Sequence, residues 1–261
     1  MLILSAIALG IVAWRLPAAS PQDSLTFVPA TFACDAESCR QTGAPSGSLA
    51  PSPSPPGRGE PDSDGVFSSG EIDLTGDGIR ERVELTEGMI TVFQDGAVIW
   101  QSPPTWDVVD LALGDPNDDG RFEILAAFWR DDVEGVPRSQ PFIIGYREGG
   151  IRTLWGGSPI AEPIVELELG DVTGDGMQDL IVLEAPSSAP SPRWGQSPRP
   201  WGEAGREEPA AVSTTVAVWR WHGWGFSRMW RSEEGRYRDL ILLPGTDGDP
   251  ATFAVHVGIA D

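Results

Sequence analysis

The sequence of 261 residues contains no lysine, two histidines and two cysteines, and each scarcity excludes a class of protein. With so few histidines and cysteines, the protein can form neither a histidine-rich zinc site nor a dense disulfide framework. All 18 basic residues are arginine, and they stand against 39 acidic residues, for a formal net charge of −21. Because a surface this negative repels a phosphate backbone, we expect no nucleic-acid partner.

Abundant glycine (31) and proline (24) argue against a helical bundle. Composition also divides the chain into three parts. Pro-, Ser- and Gly-rich residues 41–65 are typical of a linker, and residues 185–211 of a long surface insertion, because strand-like patterns resume after them. We predict a signal peptide or anchor over residues 1–20, an N-terminal segment and linker over 21–65, and one repeat domain over 66–261.

The N-terminal region indicates export. Residues 1–14 are almost entirely apolar, which is short of the roughly 20 residues that cross a bilayer but suits a secretory signal. No positive residue precedes them, so both a cleaved signal and an uncleaved membrane anchor stay open. Cys34 and Cys39 could close a small disulfide loop in an oxidising compartment. We therefore expect an extracytoplasmic protein, secreted or tethered to the membrane.

An acidic motif occurs three times in the chain. Residues 73–81, 115–123 and 171–179, called the first, second and third loops below, share Asp-x-(Thr/Asn)-x-Asp-Gly-x-x-(Asp/Glu). Three copies with the same spacing are stronger evidence than a single match, because they indicate one structural unit that is repeated along the chain.

The residues around these loops predict β-strands. Residues 107–113 and 164–169 alternate polar and apolar before a loop, and an apolar run and a hairpin signal follow each loop. Four antiparallel strands per unit are typical of a β-propeller blade. A further half-unit lies at residues 237–243 and 252–257, so we predict an all-β, propeller-like array of about three and a half blades.

Closure of such an array has two solutions. Known propellers have at least about four blades, and an open sheet edge promotes aggregation. Residues 25–32 could supply an outer strand to the last blade, or two chains could associate to complete a ring. The sequence leaves both open.

The loops have the oxygen donors of a metal site. Carboxylates occupy positions 1, 5 and 9 of each loop, a neutral side-chain oxygen position 3 and glycine position 6, and the carbonyl of position 7 could point inward. Calcium prefers such an all-oxygen set, whereas Mg²⁺ demands stricter octahedral geometry and Zn²⁺ prefers nitrogen and sulfur. Metal-free Asx turns would explain one loop better than three. An EF-hand is rejected, because β-runs replace its helices.

Positions 1, 3, 5, 7 and 9 of the loops are the predicted Ca²⁺ ligands. They are Asp73, Thr75, Asp77, Ile79 and Glu81; Asp115, Asn117, Asp119, Arg121 and Glu123; and Asp171, Thr173, Asp175, Met177 and Asp179.

These units resemble FG-GAP/VCBS-type repeats, the calcium-loop blades of integrin α-subunit propellers and of many secreted bacterial proteins. The resemblance covers about residues 66–257. It departs from the family in lacking clear Phe-Gly and Gly-Ala-Pro elements and in having threonine twice at position 3. It implies an extracytoplasmic scaffold for adhesion or for binding a protein or glycan ligand.

Catalytic motifs are not evident in the sequence. It contains no nucleophile elbow, phosphate-binding loop or His-Glu-x-x-His motif, and His222 and His256 have no partner arranged around them. Carboxylate pairs could still converge, and some polysaccharide lyases have similar repeats. The alternative hypothesis is therefore a carbohydrate-active enzyme, which a screen for glycan turnover distinguishes from a scaffold.

Overall fold

The computed structural model describes residues 25–35, 38–43, 66–131, 137–156, 162–186, 213–243, 245 and 250–260. The predicted signal or anchor, most of the predicted linker and most of the predicted insertion lie outside these residues. Within them the chain forms sixteen β-strands and no helix, so none that is long and apolar enough to cross a bilayer.

The sixteen strands account for most of the described residues. In chain order they are β1 (Leu25–Cys34), β2 (Cys39–Gly43), β3 (Val66–Ile72), β4 (Glu81–Thr86), β5 (Met89–Gln94), β6 (Ala97–Gln101), β7 (Asp107–Gly114), β8 (Glu123–Asp131), β9 (Pro137–Arg147), β10 (Gly150–Gly156), β11 (Ile164–Gly170), β12 (Asp179–Glu184), β13 (Thr215–Trp221), β14 (Phe226–Arg231), β15 (Tyr237–Leu243) and β16 (Thr252–Ala260).

The strands form four antiparallel sheets of four strands each. The first three sheets, β3–β6, β7–β10 and β11–β14, are each built from consecutive strands. The fourth sheet has the order β15-β16-β1-β2, so it combines the two ends of the chain. The predicted all-β array of blade-like sheets is confirmed. The fourth sheet is complete instead of half-formed, because β1 and β2 add to it.

Strand β1 supplies this completion. It pairs with β16 in antiparallel register from Leu25 opposite Ala260 to Phe32 opposite Phe253. The prediction that residues 25–32 add to the last sheet is correct, but β1 is an inner strand of that sheet and β2 is the outer one. β2 follows through a tight turn closed by a disulfide between Cys34 and Cys39. The end of β2 lies where the linker was predicted to begin, because its polar sequence Cys-Arg-Gln-Thr-Gly has no apolar alternation.

Hydrophobic clusters lie between consecutive sheets. Leu85 and Val92 of the first sheet pack with Phe128 of the second, and corresponding clusters join the second sheet to the third and the third to the fourth. No cluster of the described residues joins the fourth sheet to the first. The four sheets therefore form an open series and not a closed ring.

Carboxylates, one buried and one half-buried, also connect neighbouring sheets. Asp110 on β7 accepts a hydrogen bond from the backbone N–H of Leu167 on β11 at 3.0 Å. Glu166 on β11 accepts one from the N–H of Leu240 on β15 at 2.9 Å. Both acids stand five residues before the first aspartate of a loop (110 to 115 and 166 to 171). The repeat thus contains a contact between first strands that the sequence analysis did not identify.

Candidate metal centre

Each acidic loop connects the first strand of a sheet to the second. The acid at position 9 is in each case the first residue of the second strand, namely Glu81 of β4, Glu123 of β8 and Asp179 of β12. All three of these side chains are fully buried. The structure therefore places the predicted ligands together at one connection in each of the first three sheets, with one buried carboxylate per loop.

The aspartate at position 1 holds the backbone of its own loop. In the first loop Asp73 Oδ1 accepts hydrogen bonds from the N–H groups of Gly76 and Asp77 at 2.7 and 3.1 Å, and Oδ2 accepts one from Gly78 at 3.0 Å. Asp171 makes the same three bonds in the third loop. Asp115 makes the last two in the second. These loops are thus closed by Asx-type bonds of their own.

The residues at position 7 contribute through their backbone. The N–H of Ile79 donates to Asp77 Oδ1 at 2.8 Å, and the N–H groups of Arg121 and Met177 each donate at 3.1 Å to the aspartate at position 5. These bonds aim one oxygen of each position-5 carboxylate at the loop backbone. The other oxygen of that carboxylate remains for a side chain or a cation.

The glycine at position 6 adopts a left-handed backbone in every loop, with φ of +86° at Gly78, +80° at Gly120 and +89° at Gly176. A Cβ added at Gly176 would meet no atom within 4 Å, so only the backbone conformation opposes a side chain there. We expect Gly176→Ala to lower the free energy of unfolding by about 1 to 2 kcal/mol, measured by urea denaturation.

Gly150→Ala is the matched control for this substitution. Gly150 also has open space around its Cβ position, and its φ is not positive. We expect the control to leave stability unchanged or slightly raised. Equal losses in the two variants would show that the left-handed backbone of the loop is not the cause.

The loops differ in what surrounds the buried acid at position 9. Glu81 Oε2 accepts bonds from the N–H groups of Leu74 and Thr75 at 2.8 and 3.1 Å, and Thr75 Oγ1 donates to its Oε1. In the third loop Thr173 Oγ1 donates to Asp179 at 3.0 Å. In these two loops the threonine hydroxyl at position 3 therefore donates a hydrogen bond to the buried acid. It is not held beside that acid as an oxygen ligand for a cation.

The second loop has a different arrangement around its buried acid. Asn117 stands at position 3 there, and its Oδ1 accepts a bond from Asp119 N–H at 3.2 Å. Glu123 Oε2 is buried and has no hydrogen-bond partner. Burial, together with the charge of Asp119, raises the pKa of Glu123 to about 7 despite a hydrogen bond from Arg147.

Three carboxylates of the second loop converge on one point. Asp115, Asp119 and Glu123 each offer an oxygen, and these oxygens all lie within 4.8 Å of one another. It is the one such group found among the residues that the structure describes. This cluster could hold a metal ion, because three hard oxygen donors of negative charge meet there with an unsatisfied oxygen.

Arginine side chains enter two of the loops, which sequence analysis missed. Arg147, the last residue of β9, donates to Glu123 Oε1 at 2.7 Å and also pairs with Asp119. Arg220 of β13 pairs with Asp175 Oδ2 at 2.8 Å and with Asp179 Oδ1 at 3.3 Å in the third loop. Both arginines come from the third strand of the sheet, which lies beside the strand that begins with the buried acid.

The first loop has an amide where the others have a guanidinium. Gln94, the last residue of β5, donates through Nε2 to Asp77 Oδ2 at 3.1 Å. A polar residue near the end of the third strand of each unit was the available sequence signal. It could be interpreted only once the strand pairing was known.

Neighbouring loops touch one another. The side-chain oxygen of Gln178 in the third loop accepts a bond from Asp115 N–H in the second loop at 2.6 Å. The N–H of Ala251, just before β16, donates to the carbonyl of Asp171 at 2.8 Å. The second loop, the third loop and Ala251 therefore lie along the same edge of their neighbouring sheets.

No family model and no curated protein sequence matches this chain. The resemblance to FG-GAP/VCBS repeats is therefore still a prediction based on the spacing of the loops. The cluster of three carboxylates in the second loop does not depend on this resemblance, because it is defined by the positions of three side chains.

Proposed function

We propose that this protein is an extracytoplasmic calcium-binding β-sheet scaffold that binds a protein or glycan ligand. The observation that carries the proposal is the cluster of Asp115, Asp119 and Glu123 in the second loop. The predicted ligands of the first and third loops are proposed as further calcium positions, with weaker support, because their buried acids already accept bonds from the loop.

The donor chemistry of the second loop favours calcium. Calcium takes six to eight oxygen ligands in flexible geometry, and the loop offers carboxylates together with the amide oxygen of Asn117. The buried oxygen of Glu123 is costly to leave without a partner, and a cation would satisfy it. Arg147 now pairs with Asp119 and Glu123, so a metal ion that uses the same oxygens has to displace its guanidinium.

The disulfide between Cys34 and Cys39 supports the extracytoplasmic part of the proposal. Disulfides persist in oxidising compartments and are rare in the cytosol. The apolar N-terminal residues that predict export lie outside the described residues. Secretion, tethering and self-association stay predictions, the last of which a measurement of the mass in solution tests.

Calcium titration tests the metal site. Wild-type protein at calcium concentrations about 100 times the dissociation constant is expected to gain about 2.7 kcal/mol of unfolding free energy per site. Glu123→Gln removes one ligand charge at nearly constant shape and is expected to abolish the share of this gain that the second loop supplies. The measurements are calorimetric titration and thermal unfolding with calcium or with a chelator.

Asp118→Asn provides the matched control. Asp118 is an exposed residue of the same loop and lies outside the cluster, and asparagine tolerates its positive φ of 54°. This variant is expected to respond to calcium as the wild-type protein does. A wild-type melting temperature that chelation leaves unchanged would refute the proposed calcium site.

A further inference from the structure

The guanidinium of Arg147 lies where a cation can neutralise the acidic cluster of Asp115, Asp119 and Glu123. Its side chain is largely shielded from solvent, with 21% exposed, and bridges Asp119 to the fully buried Glu123. Burial by itself would lower the pKa of Arg147, but the hydrogen bonds to these two carboxylates raise it overall. The guanidinium therefore stays charged at the place where three carboxylates would otherwise repel one another.

The neutralisation by Arg147 is incomplete. Arg147 satisfies Glu123 Oε1, whereas Glu123 Oε2 is buried within the loop with no hydrogen-bond partner. Asp115 receives no hydrogen bond from Arg147 in the structure; its oxygens accept the N–H groups of Asp119 and Gly120. The cluster thus retains an unsatisfied buried oxygen, which a divalent ion could take up in place of the arginine.

We propose that Arg147 is a built-in competitor of the divalent ion, which occupies the cluster in the metal-free protein and sets how tightly the second loop binds calcium. This inference rests on the proposed calcium site. The metal and the guanidinium both need the carboxylates of Asp119 and Glu123. Two cations held by the same two side chains would repel each other, so each state disfavours the other. Binding of the metal releases Arg147. The apparent affinity for the metal is therefore the intrinsic affinity multiplied by the fraction of metal-free molecules in which the arginine has already left the cluster.

The protein itself offers the comparison that isolates this effect. In the first loop the corresponding third strand ends in Gln94, whose neutral amide bonds to Asp77. Arg147→Gln therefore places in the second loop the side chain that the first loop already uses. If the arginine-free state makes up on the order of 10% of wild-type molecules, the variant is expected to bind calcium about ten-fold more tightly.

The second readout is the stability of the protein without metal. In the presence of a chelator Arg147→Gln is expected to lower the melting temperature by about 4 °C, because the carboxylates lose their internal counter-ion. Calcium is expected to restore the loss. A purely structural arginine would lower stability in both conditions and would not raise the affinity.

The control variants separate charge from position. Arg40→Gln makes the same charge change on β2, where Arg40 is exposed and pairs with Asp35 at the surface, and is expected to leave calcium affinity unchanged. Arg147→Lys keeps the charge without the planar fork and is expected to bind with intermediate affinity. Adding Glu123→Gln to Arg147→Gln is expected to remove the gain, which assigns it to the second loop.

The outcomes distinguish this inference from the proposed function. Calorimetric titration that finds equal affinity in wild type and Arg147→Gln overturns the competition and leaves the calcium site in place. Binding by Arg147→Gln alone supports the competition and refutes calcium binding to the second loop of the wild-type protein. If neither protein binds calcium, both proposals fall.

Discussion

Phe32→Ala is expected to lower the free energy of unfolding by about 3 to 5 kcal/mol, which is the range for emptying a buried aromatic site. Phe32 lies on β1 and is 6% exposed. Its ring stacks on Phe253 of β16 with centroids 5.2 Å apart, and Trp230 of the third sheet lies 5.7 Å away. The substitution therefore leaves a cavity between the third and fourth sheets.

Urea denaturation followed by tryptophan fluorescence measures this loss. Phe122→Ala is the control, because Phe122 is 49% exposed and the same truncation there is expected to change stability by less than about 0.5 kcal/mol. A loss in Phe32→Ala no larger than in the control would show that β1 does not pack into the fourth sheet in solution.

The second large effect concerns pH and the buried Glu184 at the end of β12. Its Oε2 pairs with Arg231 Nε at 3.1 Å and accepts from Thr215 Oγ1 at 3.3 Å, whereas Oε1 is buried without a partner. Burial outweighs the charge of Arg231 and raises the pKa of Glu184 from 4.5 to about 7.

The sign of the pH effect follows from proton binding. Between these two pKa values the folded protein holds a proton on Glu184 that the unfolded chain has lost, so the free energy of unfolding falls as pH rises through this range. The stability that Glu184 contributes is complete below pH 4.5 and is lost by about pH 7. The loss is on the order of 3 kcal/mol.

Glu184→Gln is expected to remove this share of the pH dependence, because the amide stays neutral at every pH. Urea denaturation at pH 5 and pH 7.5 in the presence of a chelator measures it for wild type and variant. Glu71→Gln, at an exposed residue of β3, is the control and is expected to keep the wild-type slope. An unchanged slope in Glu184→Gln would contradict the assignment.

Local patterns were enough to predict the repeated units. Hairpin turns and period-two alternation depend on neighbouring residues alone. The strand Tyr237–Leu243 was therefore predicted with its observed bounds. The left-handed glycines of the loops follow from the same local chemistry. β2 was missed because its polar residues carry no alternation.

The equivalence of the three loops was predicted but is only partly found. The spacing of their acids is the same, yet Thr75 and Thr173 donate to the buried acid, whereas Asn117 accepts from the backbone. The difference between threonine and asparagine was visible in the sequence. Its consequence depended on which groups the folded loop turns toward the acid at position 9.

The sequence by itself determined the strands, the turns and the position of an acidic loop in each unit, because these depend on contacts within a few residues. Only the tertiary structure decided that β1 pairs with β16 and that Arg147 enters the second loop. The first contact joins the two ends of the chain, and the second joins residues 24 positions apart on paired strands. The residues around Arg147 in the sequence do not predict that its guanidinium binds an acid on the neighbouring strand, because that contact depends on how the strands pair.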